Sequence, residues 1–327
     1  MKPKKLYNKW LDWVLGSSKL FYAIKNRKNC YITIIPRPKL SDGYSLNSKN
    51  ISVPKFAIVV QGKIVEKDSF TKETIKIYKK SFNNPAIIYS SHEGADQPEA
   101  LKELGSLGVT IVLSPKPTPG PFNINLQITS SVAGLKKAKE LGFEYAIKTR
   151  SDVRLYAANI EGFLFNLLKQ FPIKPGKGQK ERIISTNIFT LKYRPYSLSD
   201  MTVAGNIDDL LEYFDVPLDK REKIEINSNF TVGDFMRERP GEIYLETEFL
   251  KKVGQPPLNT LEDSWRAFAE RFCVIDQQAL DSYWFKYEMY SCLENKFLRY
   301  DKEPGNHDLN FREWFNLYCL YDQNPPS

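Results

Sequence analysis

Three apolar runs of this chain end in polar residues of types that bind ligands. Gln61 and Gly62 follow Phe56-Ala-Ile-Val-Val, Ser90 and Ser91 close Ala86-Ile-Ile-Tyr, and Arg150 and Asp152 follow Tyr145-Ala-Ile-Lys-Thr. Amides and hydroxyls hydrogen-bond a polar ligand, and a glycine lets backbone approach it closely. Singly, each has a structural reading: Gly62 as a turn, Asp152 as a cap. Their joint placement at the ends of three runs favours a site. Other chemistries lose support. There are only two histidines, His92 and His307, too few for a His-rich metal site and unfavourable for a Ser-His-Asp scheme. Cys30, Cys273, Cys292 and Cys319 show no CxxC spacing, so reduced thiols are expected rather than zinc or a disulfide framework. No GxGxxG follows the first run, and Pro175-Gly-Lys-Gly-Gln-Lys lacks phosphate-loop spacing and reads as a solvated loop.

The elements that must position these residues alternate. Continuous apolar runs at 56–60, 86–90, 109–113 and 145–149 fit strands buried on both faces. Between them, Thr71 as N-cap with Ile75, Tyr78 and Phe82 at helical spacing predicts a helix, as does Pro98–Leu104. A longer helix from about Gln127 to Leu141 turns Ile128, Val132, Leu135 and Ala138 inward and stops at Gly142. Pro115–Pro121 holds four prolines and must be a loop. Such alternation predicts an α/β domain with a parallel sheet, whose ligands sit at the carboxyl ends of the strands. Later, Trp265, Phe268, Ala269 and Phe272, then Phe311, Trp314, Phe315 and Tyr318, recur at helical spacing. They read as the core faces of an aromatic-rich helical C-terminal part.

The 327 residues suit one large domain or two small ones, and 42% hydrophobic with 26% charged residues excludes a disordered chain. No apolar run is long enough to span a bilayer, and the basic start does not read as a signal peptide. The net charge of +8 is local: residues 1–28 hold eight Lys/Arg against the single acid Asp12, leaving the body nearly neutral. A nucleic-acid partner is therefore not expected. Leu6, Trp10, Trp13 and Val14 share one helical face of that arm, with Lys2, Lys5 and Lys9 at its edges. Such a helix suits an anionic membrane surface; packing on the protein's own body is the alternative. Residues 41–52 read as a linker. The division expected is an arm and linker over 1–54, a catalytic domain over 55–290 and a helical extension over 291–327.

One set of motifs resembles the WavE lipopolysaccharide synthesis family, glycosyltransferases of GT-A type. Its elements are Val60-Gln61-Gly62, Asn125-x-Gln127, Ala133-Gly134-Leu135 and Lys148-Thr-Arg150-Ser-Asp152-x-Arg154. Further on come Ser199-Asp200 with Gly205 behind it, Glu242-x-Tyr244 and Trp284-Phe285-Lys286. The order covers about 54–290. The resemblance implies a GT-A-like, Rossmann-like, mostly parallel sheet flanked by helices. It implies transfer of a sugar from a nucleotide-sugar donor to a lipopolysaccharide- or capsule-type glycan or glycolipid, in the cytoplasm or, through the arm, at the inner face of a membrane.

On that resemblance Gln61, Gly62, Ser90, Asn125, Gln127, Arg150, Asp152 and Arg154 are expected to bind the donor. GT-A enzymes commonly hold Mg²⁺ or Mn²⁺ with an Asp-x-Asp pair. Here only Asp152 of Arg150-Ser151-Asp152 is a carboxylate, so it is the expected metal ligand, with Arg150 or Arg154 adding charge to the diphosphate. A structural pair between Asp152 and either arginine is the alternative. Asn125 could equally cap its helix. Asp200 is the first candidate for the general base and Glu242 the second. Trp284 and Lys286 are candidate acceptor contacts. Two rivals remain: a nucleotidyltransferase of sugar phosphates, and a non-catalytic binding module on a degenerate GT-A scaffold.

Overall fold

A computed structural model describes residues 37–46, 53–225, 230–287 and 307–323. The chain divides into units 1–37 and 38–327. Every strand and helix of the described residues belongs to the second unit. The amphipathic face and basic cluster of 1–28 lie outside the described residues.

The first half alternates as its apolar runs predict. β1 (Phe56–Gln61) leads to α1 (Phe70–Ser81), β2 (Ala86–His92), α2 (Pro98–Ser106), β3 (Thr110–Ser114), α3 (Ile124–Glu140) and β4 (Tyr145–Arg150). Every residue of β1 is buried, because parallel strands lie on both sides of it and helices cover the faces. The register is what builds a site: Gln61 lies beside Ser90 on one neighbour and Arg150 on the other. Three strands therefore end at one level. α3 packs directly on them. A Cβ on Gly134 would lie 2.4 Å from Val59 and 3.0 Å from Ser90, so only glycine admits this approach.

The helix starts differ from expectation. α1 begins at Phe70, so Thr71 is inside its first turn rather than capping it. Its hydroxyl accepts from the Val65 N–H and donates to the Ser151 carbonyl, tying the helix to the turn after β4.

The second half mixes directions. β5 (Val153–Leu155) and α4 (Ile160–Gln170) precede β6 (Ile183–Thr186) and β7 (Val203–Asn206). α5 (Ile207–Phe214), α6 (Val232–Glu238), α7 (Glu242–Lys252) and α8 (Leu261–Arg271) follow, then β8 (Phe272–Ile275), β9 (Ser282–Trp284) and α9 (Phe311–Tyr318). The main sheet has seven strands in the order β3-β2-β1-β4-β7-β6-β8. β7 runs antiparallel to both β4 and β6, while β6 and β8 are parallel. The result is the expected mostly parallel α/β sheet with an antiparallel insertion. β5 and β9 pair separately, Val153 opposite Trp284.

Two stretches pack more than their sequence suggests. Ser41 and Tyr44, in the segment read as linker, are buried: the Ser41 N–H donates to Glu73 and the Tyr44 hydroxyl to the Tyr156 carbonyl. α9 docks as predicted, with Trp314 fully buried and its indole N–H donating to the Phe268 carbonyl. Phe315, assigned to the same core face, is 41% exposed.

Candidate active site

The ends of β1, β2 and β4 open into a cleft of about 950 Å³. Gln61, Gly62, Gln127, Arg150, Asp152 and Lys286 line it, together with Lys63, Ser91, His92, Lys116 and Phe122. Six of the residues singled out from the sequence are thus brought together. Gly62 sits at φ +109°, a conformation open to glycine, and a Cβ there would press on the Ser151 hydroxyl at 3.1 Å. The Gln61 amide donates to Ser130 of α3 at 3.0 Å, fixing strand end to helix. Phe122 is the unusual wall residue. It holds φ +55° although bulky, and half its surface is exposed.

One side of the cleft is cationic. Arg150 grips Asp152 with Nε at 2.9 Å from Oδ1 and Nη2 at 3.1 Å from Oδ2. The Trp284 indole donates to the same Oδ2 at 3.0 Å. The β5–β9 pairing delivers Trp284 there, helped by the Phe285 N–H donating to the Asp152 carbonyl. Burial opposes the charge of Arg150, but Asp152, with Asp200 and Glu242 behind it, outweighs burial and raises its pKa. Lys63, Lys116 and Lys286 are exposed around the rim.

Behind Gln127 and Arg150 lies a carboxylate pair. Asp200 is 1% exposed, in the loop before β7. Three consecutive residues rivet that loop. The Leu198 N–H donates to Glu246, the Ser199 carbonyl accepts from Ser185, and the Asp200 carbonyl accepts from Lys148 Nζ at 2.5 Å. With its amide nitrogen turned toward Asp200, Gln127 donates to both carboxylate oxygens, at 3.3 Å to Oδ1. Glu242 is the partly exposed first residue of α7. Burial of its carboxyl, then repulsion from Asp200, pushes its pKa up to about 7, with Arg194 and Arg150 opposing.

Three residues expected to bind the donor do other work. Ser90 is fully buried and donates to the Ser130 carbonyl; its neighbour Ser91 reaches the cleft instead. Asn125 neither touches the cleft nor caps its helix. It clamps the proline loop, donating to the Thr118 and Asp219 carbonyls and accepting from the Asp219 N–H at 2.7 Å. Arg154 is 1% exposed beneath α1, donating to Thr74, Tyr156 and the Phe70 and Lys39 carbonyls. A strand end for Ser90, a helix start for Asn125 and the family motif for Arg154 placed all three near a site, but only tertiary packing decides which way a side chain leaves it.

Two further residues of the site do not stand out in the sequence. Lys148 belongs to the quoted Lys-Thr-Arg-Ser-Asp motif, and a lysine inside an apolar strand was its signal. Fully buried, it is pushed down to about 8 by burial, against the pull of Asp200. Arg194 stacks 4.5 Å from the Phe235 ring, its pKa lowered by burial and raised by Glu242. Its Tyr193-Arg-Pro-Tyr loop carries no motif that marks it.

The donor set does not fit the divalent ion implied by the GT-A resemblance. Mg²⁺ and Mn²⁺ at such a site are commonly held by one or two protein carboxylates with the substrate phosphates and waters, so the fit turns on whether Asp152 is open to an ion. Both Asp152 oxygens already accept from Arg150 or Trp284, and no group of three His, Cys, Asp or Glu side chains converges on a metal position among the described residues.

The WavE lipopolysaccharide synthesis model matches residues 56–250, the span from β1 through α7. The chain belongs to the WavE family. No curated protein matches this WavE chain. Among solved structures it resembles a cytidylyltransferase from Leptospira borgpetersenii at 10% identity and TM-score 0.32, over 62% of this chain and 93% of the other. A mannose-1-phosphate geranyltransferase from Thermus thermophilus gives the same identity and score over 66% and 78%. At these scores neither lends a property to this chain. No helix among the described residues is long and apolar enough to cross a membrane.

Proposed function

We propose that this WavE protein is a GT-A-type glycosyltransferase, taking a sugar from a nucleotide-sugar donor to a glycan or glycolipid acceptor of lipopolysaccharide assembly. The observation that carries this reading is one cleft at three strand ends, with cations on one wall and a crowded carboxylate pair behind the other. Its volume suits a ligand of nucleotide-sugar size. The donor diphosphate lies toward Arg150 and the lysine rim, and the exposed face of Phe122 stacks on the base. The sugar points toward Gln127, Asp200 and Glu242.

The acceptor hydroxyl oxygen bonds to the anomeric carbon as the bond from that carbon to the diphosphate oxygen breaks. The electron pair leaves with the nucleoside diphosphate, and the hydroxyl proton passes to a carboxylate. The sequence ranks Asp200 first for that role, but the geometry favours Glu242. A base works best with a pKa near the working pH, and Glu242, a partly exposed residue whose carboxyl is itself buried, is raised to about 7. Asp200, held by Gln127, keeps Glu242 raised and stabilises the positive charge developing on the sugar ring. Trp284 and Lys286, expected from the sequence to contact the acceptor, stand instead on the donor side, Trp284 against Asp152 and Arg150 and Lys286 on the lysine rim.

Incubation with a panel of nucleotide sugars and a lipopolysaccharide-core acceptor tests the reading. Acceptor-dependent release of a nucleoside diphosphate from one donor is expected. Release of inorganic pyrophosphate from sugar 1-phosphate and a nucleoside triphosphate would instead make it a nucleotidyltransferase. Turnover of nothing across the panel would favour a binding module.

A further inference from the structure

We infer that this site neutralises the donor diphosphate with its own side chains, Arg150 foremost, and that transfer needs no divalent metal ion. The inference rests on the transferase reading above and concerns how the leaving group's charge is balanced. A metal-assisted enzyme needs a carboxylate with free lone pairs facing the diphosphate. Asp152 is 8% exposed and gives three of its roughly four acceptor positions to a bidentate guanidinium and an indole, leaving one on Oδ1. Its role here is to aim Arg150.

That grip uses Nε and Nη2 and leaves the Nη1 end of Arg150 without a hydrogen bond to any described residue. The side chain is 25% exposed and lines the cleft. A guanidinium fixed on one edge offers its other edge to phosphate oxygens at little entropic cost, with strong charge-assisted hydrogen bonds. Trp284 lies under it, 5.8 Å from ring centre to guanidinium carbon, and limits its swing. Lys63 and Lys116 form no ion pair with a described residue and stand on the same rim. As the bond from anomeric carbon to phosphate oxygen breaks, the electron pair settles on that oxygen. Arg150 and the two lysines then supply the charge that a bound Mg²⁺ supplies elsewhere.

The test is calorimetric binding of UDP, GDP, CDP and ADP to the full chain, in EDTA and in excess Mn²⁺. At least one is expected to bind with affinities agreeing within about threefold in the two conditions. Arg150→Gln should weaken that binding at least tenfold in both. The exposed pair Lys63→Gln/Lys116→Gln, far from any packing role, should weaken it severalfold, equally with and without Mn²⁺. Asp152→Asn separates the two accounts most sharply. Replacing a residue that only aims Arg150 leaves EDTA-insensitive binding in place, whereas replacing a metal ligand abolishes a Mn²⁺-dependent gain. Binding at least tenfold tighter with Mn²⁺ than with EDTA, and lost in Asp152→Asn, would overturn the inference while leaving the transferase reading intact. Absence of binding by every diphosphate in both conditions would overturn the two together.

Discussion

The two walls of the cleft treat charge in opposite ways. On the Arg150 wall the one carboxylate, Asp152, is paired with a guanidinium and capped by an indole, leaving a surplus of positive charge. Behind the other wall, burial of the Glu242 carboxyl and then repulsion from Asp200 drive the Glu242 pKa up to about 7. A neutralised acid beside Lys63 and Lys116 welcomes an anion. A crowded pair of acids holds a proton loosely near neutral pH. Each side holds acids, and what separates them is the partners those acids meet.

The largest effect that breaks this contrast is on turnover. Glu242→Gln should slow single-turnover transfer by about 10²–10⁴-fold, the usual worth of a general base, while diphosphate affinity stays within a few fold. Asp200→Asn should cost less. If Asp200→Asn proves the more damaging, with donor binding intact in both, the roles are exchanged.

A smaller effect sharpens the donor wall. Phe122→Ala should weaken nucleoside diphosphate binding by about 1–3 kcal/mol, the worth of base stacking, and leave pyrophosphate binding unchanged. Equal loss for both ligands would place the base elsewhere. The smallest effect separates two amides at the start of α3. Asn125→Ala leaves the buried Asp219 N–H without its acceptor and should lower stability by about 1–3 kcal/mol, read as a drop in Tm. Gln127→Ala should leave Tm nearly unchanged and slow turnover instead. A large Tm loss for Gln127→Ala would make it a second clamp.

The half of the fold from β1 to β4 was legible because apolar runs bounded by helix periods announce buried strands. The antiparallel β7 was not, since Val203–Asn206 is four residues long and carries no directional signal. Much of the site was legible where a residue ends a strand: Gln61, Gly62, Arg150 and Asp152 reach the cleft, though Ser90, read the same way, packs away from it. It was misleading one step away. Arg154 shares the motif of Asp152 but lies in β5, where pairing with β9 turns it beneath Phe70, 4.3 Å from that ring. Asn125 and Gln127 share a motif and a helix, yet a loop that arrives from residue 219 claims one and leaves the other. Lys148 stood in the quoted motif without a role, because its partner, the Asp200 carbonyl, lies more than fifty residues away.

The pH dependence of transfer measures the central claim most directly. With the cognate donor saturating, the rate of the native protein should climb through about pH 7 as Glu242 loses its proton. A carboxyl whose folded pKa is raised also favours the folded state while protonated, so stability should fall as pH rises from about 4.5 through 7. Rate and stability should therefore move in opposite directions across the same window; Glu242→Gln should flatten the rate and lessen the fall in stability, part of which Asp209, raised to about 6 by burial, sustains. A Glu242→Gln variant that keeps the native rise in rate through pH 7, at native magnitude, would contradict the account.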